Sequence, residues 1–149
     1  MTQTISLVGS DSISLIVIDT NIVLDLLVFD DPSWAALQSA LDAGALRWIA
    51  TPSMRIELER VLSYSLIARR LLRDARGPDA VLARFDALSH TVEVVPPRAS
   101  FVCKDPDDQI FIDLAVAHRA RLLSKDKLVL ALRKRLATVG VCLTPDFHA

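Results

Sequence analysis

The stretch SLIVIDTNIVLDLL, Ser14 to Leu27, decides how the chain folds, because it joins a β-branched apolar run to a second apolar run through one carboxylate, Asp19. The first half reads as a strand buried on both faces and the second as a helix, the opening unit of a parallel α/β sheet. An aspartate at such a junction has two jobs open to it. It can cap the helix that begins at Thr20, or it can present a carboxylate at the carboxyl end of a strand, where open parallel sheets bind their ligands.

The pattern repeats outward from this unit. Short apolar runs at 14–19, 47–51, 91–95, 121–124 and 139–143 read as strands, with helices expected at 20–28, 32–43, 53–64, 66–74, 77–89, 108–119 and 127–137. Strands alternating with helical stretches imply an α/β fold, a three-layer α/β/α sandwich with a central, mainly parallel sheet of about five strands. The 149 residues suit one domain, expected over 14–149, with residues 1–13 as a loose leader that lacks the basic and apolar regions of a secretion signal. Apolar residues make up 52% and mean hydropathy is +0.37, yet no run approaches the length of a membrane span, so the apolar surplus belongs to buried faces.

Two cysteines, Cys103 and Cys142, match no metal motif, and reduced thiols in a cytoplasm are the expectation. A net charge of −1 excludes a protein that coats nucleic acid by bulk charge. Basic residues cluster only locally, in ARRLLRDAR at 68–76 and LRKR at 132–135.

Four further acids matter. On the helix SMRIELERVLSY, Met54, Leu58, Val61 and Leu62 form one stripe at about 100° per residue; Glu57 falls on its flank, while Glu59 points away. In KDPDDQIFIDLAVAH, Asp105 suits the cap position, with Pro106 first in the helix. Asp108 then heads an apolar helix on an inward face, whereas Asp113 is turned away from it and reads as structural. In LLSKDKLVL, Asp126 lies in a tight strand-to-helix loop. Each acid alone has an ordinary explanation as a cap, an ion pair or a solvated turn. Asp19, Glu57, Asp108 and Asp126 gathered at one sheet edge would repel one another unless a cation neutralised them. Hard oxygen donors suit Mg²⁺ or Mn²⁺, ions commonly shared with substrate phosphates.

VIDTN, the glutamate within TPSMRIELERVL, CKDPDDQIFIDLAVAHRA and LLSKDK, in this order, closely resemble the PIN-domain family, and more narrowly the VapC-like ribonucleases that serve as toxins of toxin–antitoxin pairs. The resemblance covers roughly 14–147. It implies a doubly wound sandwich and a metal-dependent endoribonuclease, with Asp19, Glu57, Asp108 and Asp126 as the catalytic metal ligands. Thr20 and Asn21 match supporting polar positions, Ser124 matches a residue that orients the site, and Asp105 is a further supporting residue, with its contribution as a ligand through water left open. The sequence departs from many relatives at Leu128, where they carry another acid, which puts a second metal position in doubt.

The chemistry expected is hydrolysis of RNA phosphodiester bonds with Mg²⁺ or Mn²⁺ activating water. Lys125, Lys127 and Arg119 are candidate phosphate contacts, and His118 reads as a capping or surface residue. The resemblance also implies an antitoxin partner and a homodimer. Two readings compete: a phosphatase with an aspartyl nucleophile, disfavoured because Asn21 stands where that chemistry wants an acid, and a catalytically silent PIN-fold interaction module.

Overall fold

The computed structural model describes residues 13–148, so the expected leader, save Ile13, lies outside the described residues. The elements run β1 (Ser14–Ile18), α1 (Thr20–Leu27), a 3₁₀ turn (Pro32–Trp34), α2 (Ala35–Asp42), β2 (Leu46–Ala50), α3 (Pro52–Val61), α4 (Ser65–Arg73), α5 (Pro78–Leu88) and β3 (Ser89–Thr91). A second 3₁₀ turn (Pro106–Asp108) leads into α6 (Gln109–His118), β4 (Arg121–Leu123), α7 (Lys127–Leu130), α8 (Arg133–Ala137) and β5 (Leu143–Thr144). Among the described residues all pairings are parallel, in the order β3-β2-β1-β4-β5.

The chain therefore winds outward from β1 in one direction through α5 and then crosses back to wind in the other. Because parallel crossovers are right-handed, the reversal puts α1 to α5 on one face and α6 to α8 on the opposite face. The packing agrees: α1, α3 and α5 touch one another, while α6 lies on β1 and β4. Between these layers the core is apolar from Ile16 to Phe147, with Trp48 edge-on to Phe85 at 4.9 Å. The expected three-layer fold with a five-stranded parallel sheet is present.

Several expected boundaries move, each for a local reason. The strand read at 91–95 forms instead at Ser89–Thr91, because α5 passes straight into extended backbone at Ser89, whose hydroxyl bonds the Phe85 carbonyl at 2.7 Å. Beyond Val92 the run leaves the sheet: Val94 and Val95 are exposed, and Pro96 and Pro97 lack ladder donors. The strand read at 139–143 shrinks to Leu143–Thr144, since Gly140, at φ 82°, turns the chain and the Val141 N–H bonds back to Leu136. The helix read at 127–137 breaks in two where Leu132 makes a tight bond to the Val129 carbonyl, a step that puts both side chains into the core. The helices read at 32–43 and 108–119 each open with a 3₁₀ turn carrying proline first, so α6 begins after Asp108 rather than on it. Cys103 is buried, Cys142 is exposed, and both are free thiols.

Candidate metal centre

The reversal of winding lies between β1 and β4, and the crevice outside their carboxyl ends is where such a fold receives a ligand. Asp19 follows β1 directly. Its N–H bonds the Leu123 carbonyl of β4 at 3.0 Å, so its backbone belongs to the sheet, and its side chain is 3% exposed. One carboxylate oxygen caps α1 by accepting the Asn21 N–H at 2.8 Å; the other accepts the hydroxyl of fully buried Ser124 at 2.6 Å. Both jobs open to Asp19 in the sequence are thus compatible in one geometry.

Ser124 also accepts the Asp126 N–H at 3.1 Å, and Asp126 in turn caps α7 through the Leu128 N–H at 2.8 Å. One hydroxyl therefore holds Asp19 and the Asp126 loop in register. From the next layer, Asp105 caps its 3₁₀ turn through the Asp107 N–H at 3.0 Å, which brings Asp108 over the same crevice. Asp105, Asp108 and Asp126 each offer a carboxylate oxygen within 4.8 Å of the others. Glu57 faces them across the cleft, accepting the Thr20 hydroxyl at 2.5 Å, with the Arg60 guanidinium at 3.7 Å. Asp19, Thr20, Asn21, Glu57, Asp105, Asp108 and Asp126 all line this open cleft of about 410 Å³.

All four acids expected from the sequence share one cleft, but the tightest group differs from the expected set. Asp105 is in it, while Asp19 and Glu57 line the same cleft with an oxygen already engaged by a hydroxyl. Glu59 is exposed. Asp113 accepts the Ala99 N–H and the Gln109 amide, both at 2.9 Å, a structural role. Gln109 was not singled out in the sequence, yet it is buried and ties Cys103 N–H and the Phe101 carbonyl, fixing the loop that carries Asp105.

Of the candidate phosphate contacts, only Arg119 lies away from the acidic cleft. Lys125 is bonded to Asp25, Lys127 is exposed, and Arg119, in left-handed backbone after α6, lines a groove with Ser14, Leu15 and Leu46 at the opposite end of the sheet. His118 is exposed at the last position of α6. Arg60 and Tyr64, which no motif signalled, line the acidic cleft instead.

Electrostatically the cleft is incomplete. Burial, then the charges of Asp19, Asp126 and Asp105 and a carboxyl contact with Asp126, push the Asp108 carboxyl up to about 8. Burial also raises Asp19, against the lowering bonds from Ser124 and Asn21. Among the described residues the buried Oδ2 of Asp108 has no hydrogen-bond partner, where buried polar atoms ordinarily have one, and the all-oxygen donor set fits a hard divalent ion.

A parallel sheet wound both ways from β1, with acids converging at the reversal, defines an α/β sandwich with an acidic crevice at its switch point. The chain belongs to the PIN domain family, whose profile matches residues 15–127, from the first strand to just past Asp126. PIN domains are generally nucleases and typically use divalent metal ions. No curated protein matches the chain significantly. Among the described residues no helix is long and apolar enough to cross a membrane.

Proposed function

We propose that the protein is a metal-dependent endoribonuclease using Mg²⁺ or Mn²⁺, with Asp19, Glu57, Asp108 and Asp126 as its catalytic acids and Asp105 as a further donor. The observation that carries this reading is the convergence of the Asp105, Asp108 and Asp126 carboxylates, with the buried Oδ2 of Asp108 partnerless among the described residues. Bound there, a divalent cation supplies a lowered pKa for water and offsets the negative charge of a phosphodiester. The chain's own residues do the positioning. Ser124 and the Asn21 N–H fix both oxygens of Asp19, Thr20 fixes Glu57, and caps fix Asp105 and Asp126. Water adds across the P–O bond, leaving a phosphomonoester and a free hydroxyl.

Asn21, two residues beyond Asp19 where an aspartyl phosphatase wants a second acid, argues against that chemistry. The narrower reading is a toxin of a type II toxin–antitoxin pair, cytoplasmic, homodimeric and silenced by an antitoxin. Its support is the ordered motif set.

The test is cleavage of a mixed RNA pool by purified protein with Mn²⁺, Mg²⁺ or EDTA, with Asp19→Asn alongside. Cutting should require metal and vanish in the variant; equal cutting by both would point to a contaminant and sink the reading. Growth arrest on induction, absent with Asp19→Asn, is the expected sign of a toxin, and unimpaired growth with active enzyme would leave a nuclease without a toxin role.

A further inference from the structure

One wall of the acidic cleft is unlike the rest. Tyr64, the sole tyrosine, sits at the junction of α3 and α4, lines the cleft and is 52% exposed, beside Leu66 at 70%. Of the other large aromatics, Trp34, Trp48, Phe85, Phe111 and Phe147 are buried and Phe29 and Phe101 half-buried, so Tyr64 is the exposed ring. Nor does it ride on a loose loop. The turn is closed by Ser63 N–H to the Arg60 carbonyl, Tyr64 N–H to Val61 and Ala68 N–H to Tyr64, at 3.2, 3.1 and 2.8 Å.

Charge continues this wall. Arg60 lies one turn before Tyr64, lines the cleft, and has only a 3.7 Å ion pair to Glu57 with its side chain 60% exposed. On α4, Ile67 and Leu71 face the core, while Arg69 and Arg73 follow Leu66 at i+3 and i+7 on the solvent face. The helix separates its arginines by task. Arg70 bonds Asp74 and lies over the Phe29 ring, and Arg76, just past the helix, donates to the Leu27 and Val28 carbonyls. Arg73 reaches only Asp74, at 3.8 Å, a carboxylate already held by Arg70.

We propose that this wall is a nucleotide subsite, in which Tyr64 stacks one base of single-stranded RNA next to the acidic cleft while Arg60, Arg69 and Arg73 hold its phosphates. The inference rests on the ribonuclease reading and adds to it the form of the substrate. A fixed, half-exposed ring flanked by guanidiniums matches alternating bases and phosphates better than it matches an amphipathic helix, which wants a broad apolar strip. A duplex cannot use the ring, because its bases are already stacked on one another.

The test is fluorescence anisotropy with a labelled mixed-sequence single-stranded RNA, and with the same RNA annealed to its complement, in Ca²⁺, followed by cleavage kinetics in Mn²⁺. Wild type should bind the single strand more tightly than the duplex. Tyr64→Ala and Tyr64→Leu should weaken single-strand binding by about ten-fold and raise KM more than they lower kcat, while Tyr64→Phe keeps both. The Arg69→Gln/Arg73→Gln double variant should flatten the dependence of log Kd on log salt by about 1.4, from about 0.7 for each phosphate that an arginine no longer neutralises. Because these side chains are exposed, thermal unfolding should not change.

Metal-dependent cleavage that is indifferent to Tyr64 would overturn the subsite and leave the nuclease intact. Tyr64-dependent binding without cleavage would do the reverse. Equal affinity for duplex and single strand, or binding of an acidic amphipathic peptide in place of RNA, would overturn the subsite.

Discussion

Two regions of the molecule gather charge in opposite ways. At the shoulder below the end of α1, Asp30, Asp74, Arg70, Arg76 and Arg84 interlock, and each acid has a guanidinium within reach: Arg70 to Asp74 at 2.8 Å, Arg84 to Asp30 at 3.1 Å. There the Arg70 bond holds the Asp74 carboxyl below its ordinary range. At the sheet edge, Asp105, Asp108 and Asp126 meet one another instead, and the Asp108 carboxyl rises to about 8. The same residue type is pulled down in one place and pushed up in the other, and the difference is the partner. A set of acids with arginines is finished structure, whereas a set of acids without cations leaves room for one.

The comparison can be broken at either end. The largest expected effect is on activity. Asp126→Asn keeps a competent cap for α7 but removes one of three converging carboxylates, and should lower metal-dependent RNA cleavage by more than about 100-fold. Activity within a few-fold of wild type would remove Asp126 from the centre.

Next in size, Arg76→Ala strips two carbonyls at the end of α1, those of Leu27 and Val28, of their donors and should cost about 1–3 kcal/mol in a urea melt. No change would mean that the shoulder is decoration rather than structure. A smaller effect of opposite sign is expected in the cleft.

In EDTA, Asp108→Asn should stabilise the protein by about 1 kcal/mol, once solvent access to this half-open carboxyl is allowed for, and so raise the melting temperature. The sign follows from the raised value. Unfolded Asp108 loses its proton near 3.8, while the folded protein keeps it up to about 8, so the metal-free protein loses stability as pH rises through that interval. The gain from asparagine should accordingly grow from pH 5 to pH 8, and a gain that is flat or falls with pH would contradict the charge crowding. Smallest of all, breaking the exposed Arg55–Asp86 pair with Asp86→Asn should leave the melting temperature unmoved, although that pair is bidentate at 2.8 and 2.9 Å.

Legibility in the sequence follows the same divide. Apolar periodicity carried the fold because burial is encoded locally: SLIVI and LRWIA became strands within a residue of their expected ends. It failed where tertiary contacts choose among equally apolar segments. TVEVV has the composition of a strand but is cut short by the Pro96–Pro97 pair, and VGVCL is spent on the turn at Gly140. The acids were legible because each sits at an element boundary, where a side chain is both a cap and a candidate donor. Which three come closest was not, since this depends on how the 3₁₀ turn at Pro106–Asp108 aims Asp105 and Asp108 across layers. Tyr64 and Arg60 gave no signal, for an exposed tyrosine and an arginine on a helix flank look the same in sequence whether or not a cleft lies beside them.

The most direct measurement is calorimetric titration of Mn²⁺ into wild type and Asp126→Asn at pH 6 and pH 8. Wild type should show saturable binding that is tighter at pH 8, where Asp108 gives up its proton more readily, and the variant should lose most of it at both. Folded wild type that takes up no Mn²⁺ at either pH, or a variant that binds it as well, would contradict the claim that these acids converge to hold a cation.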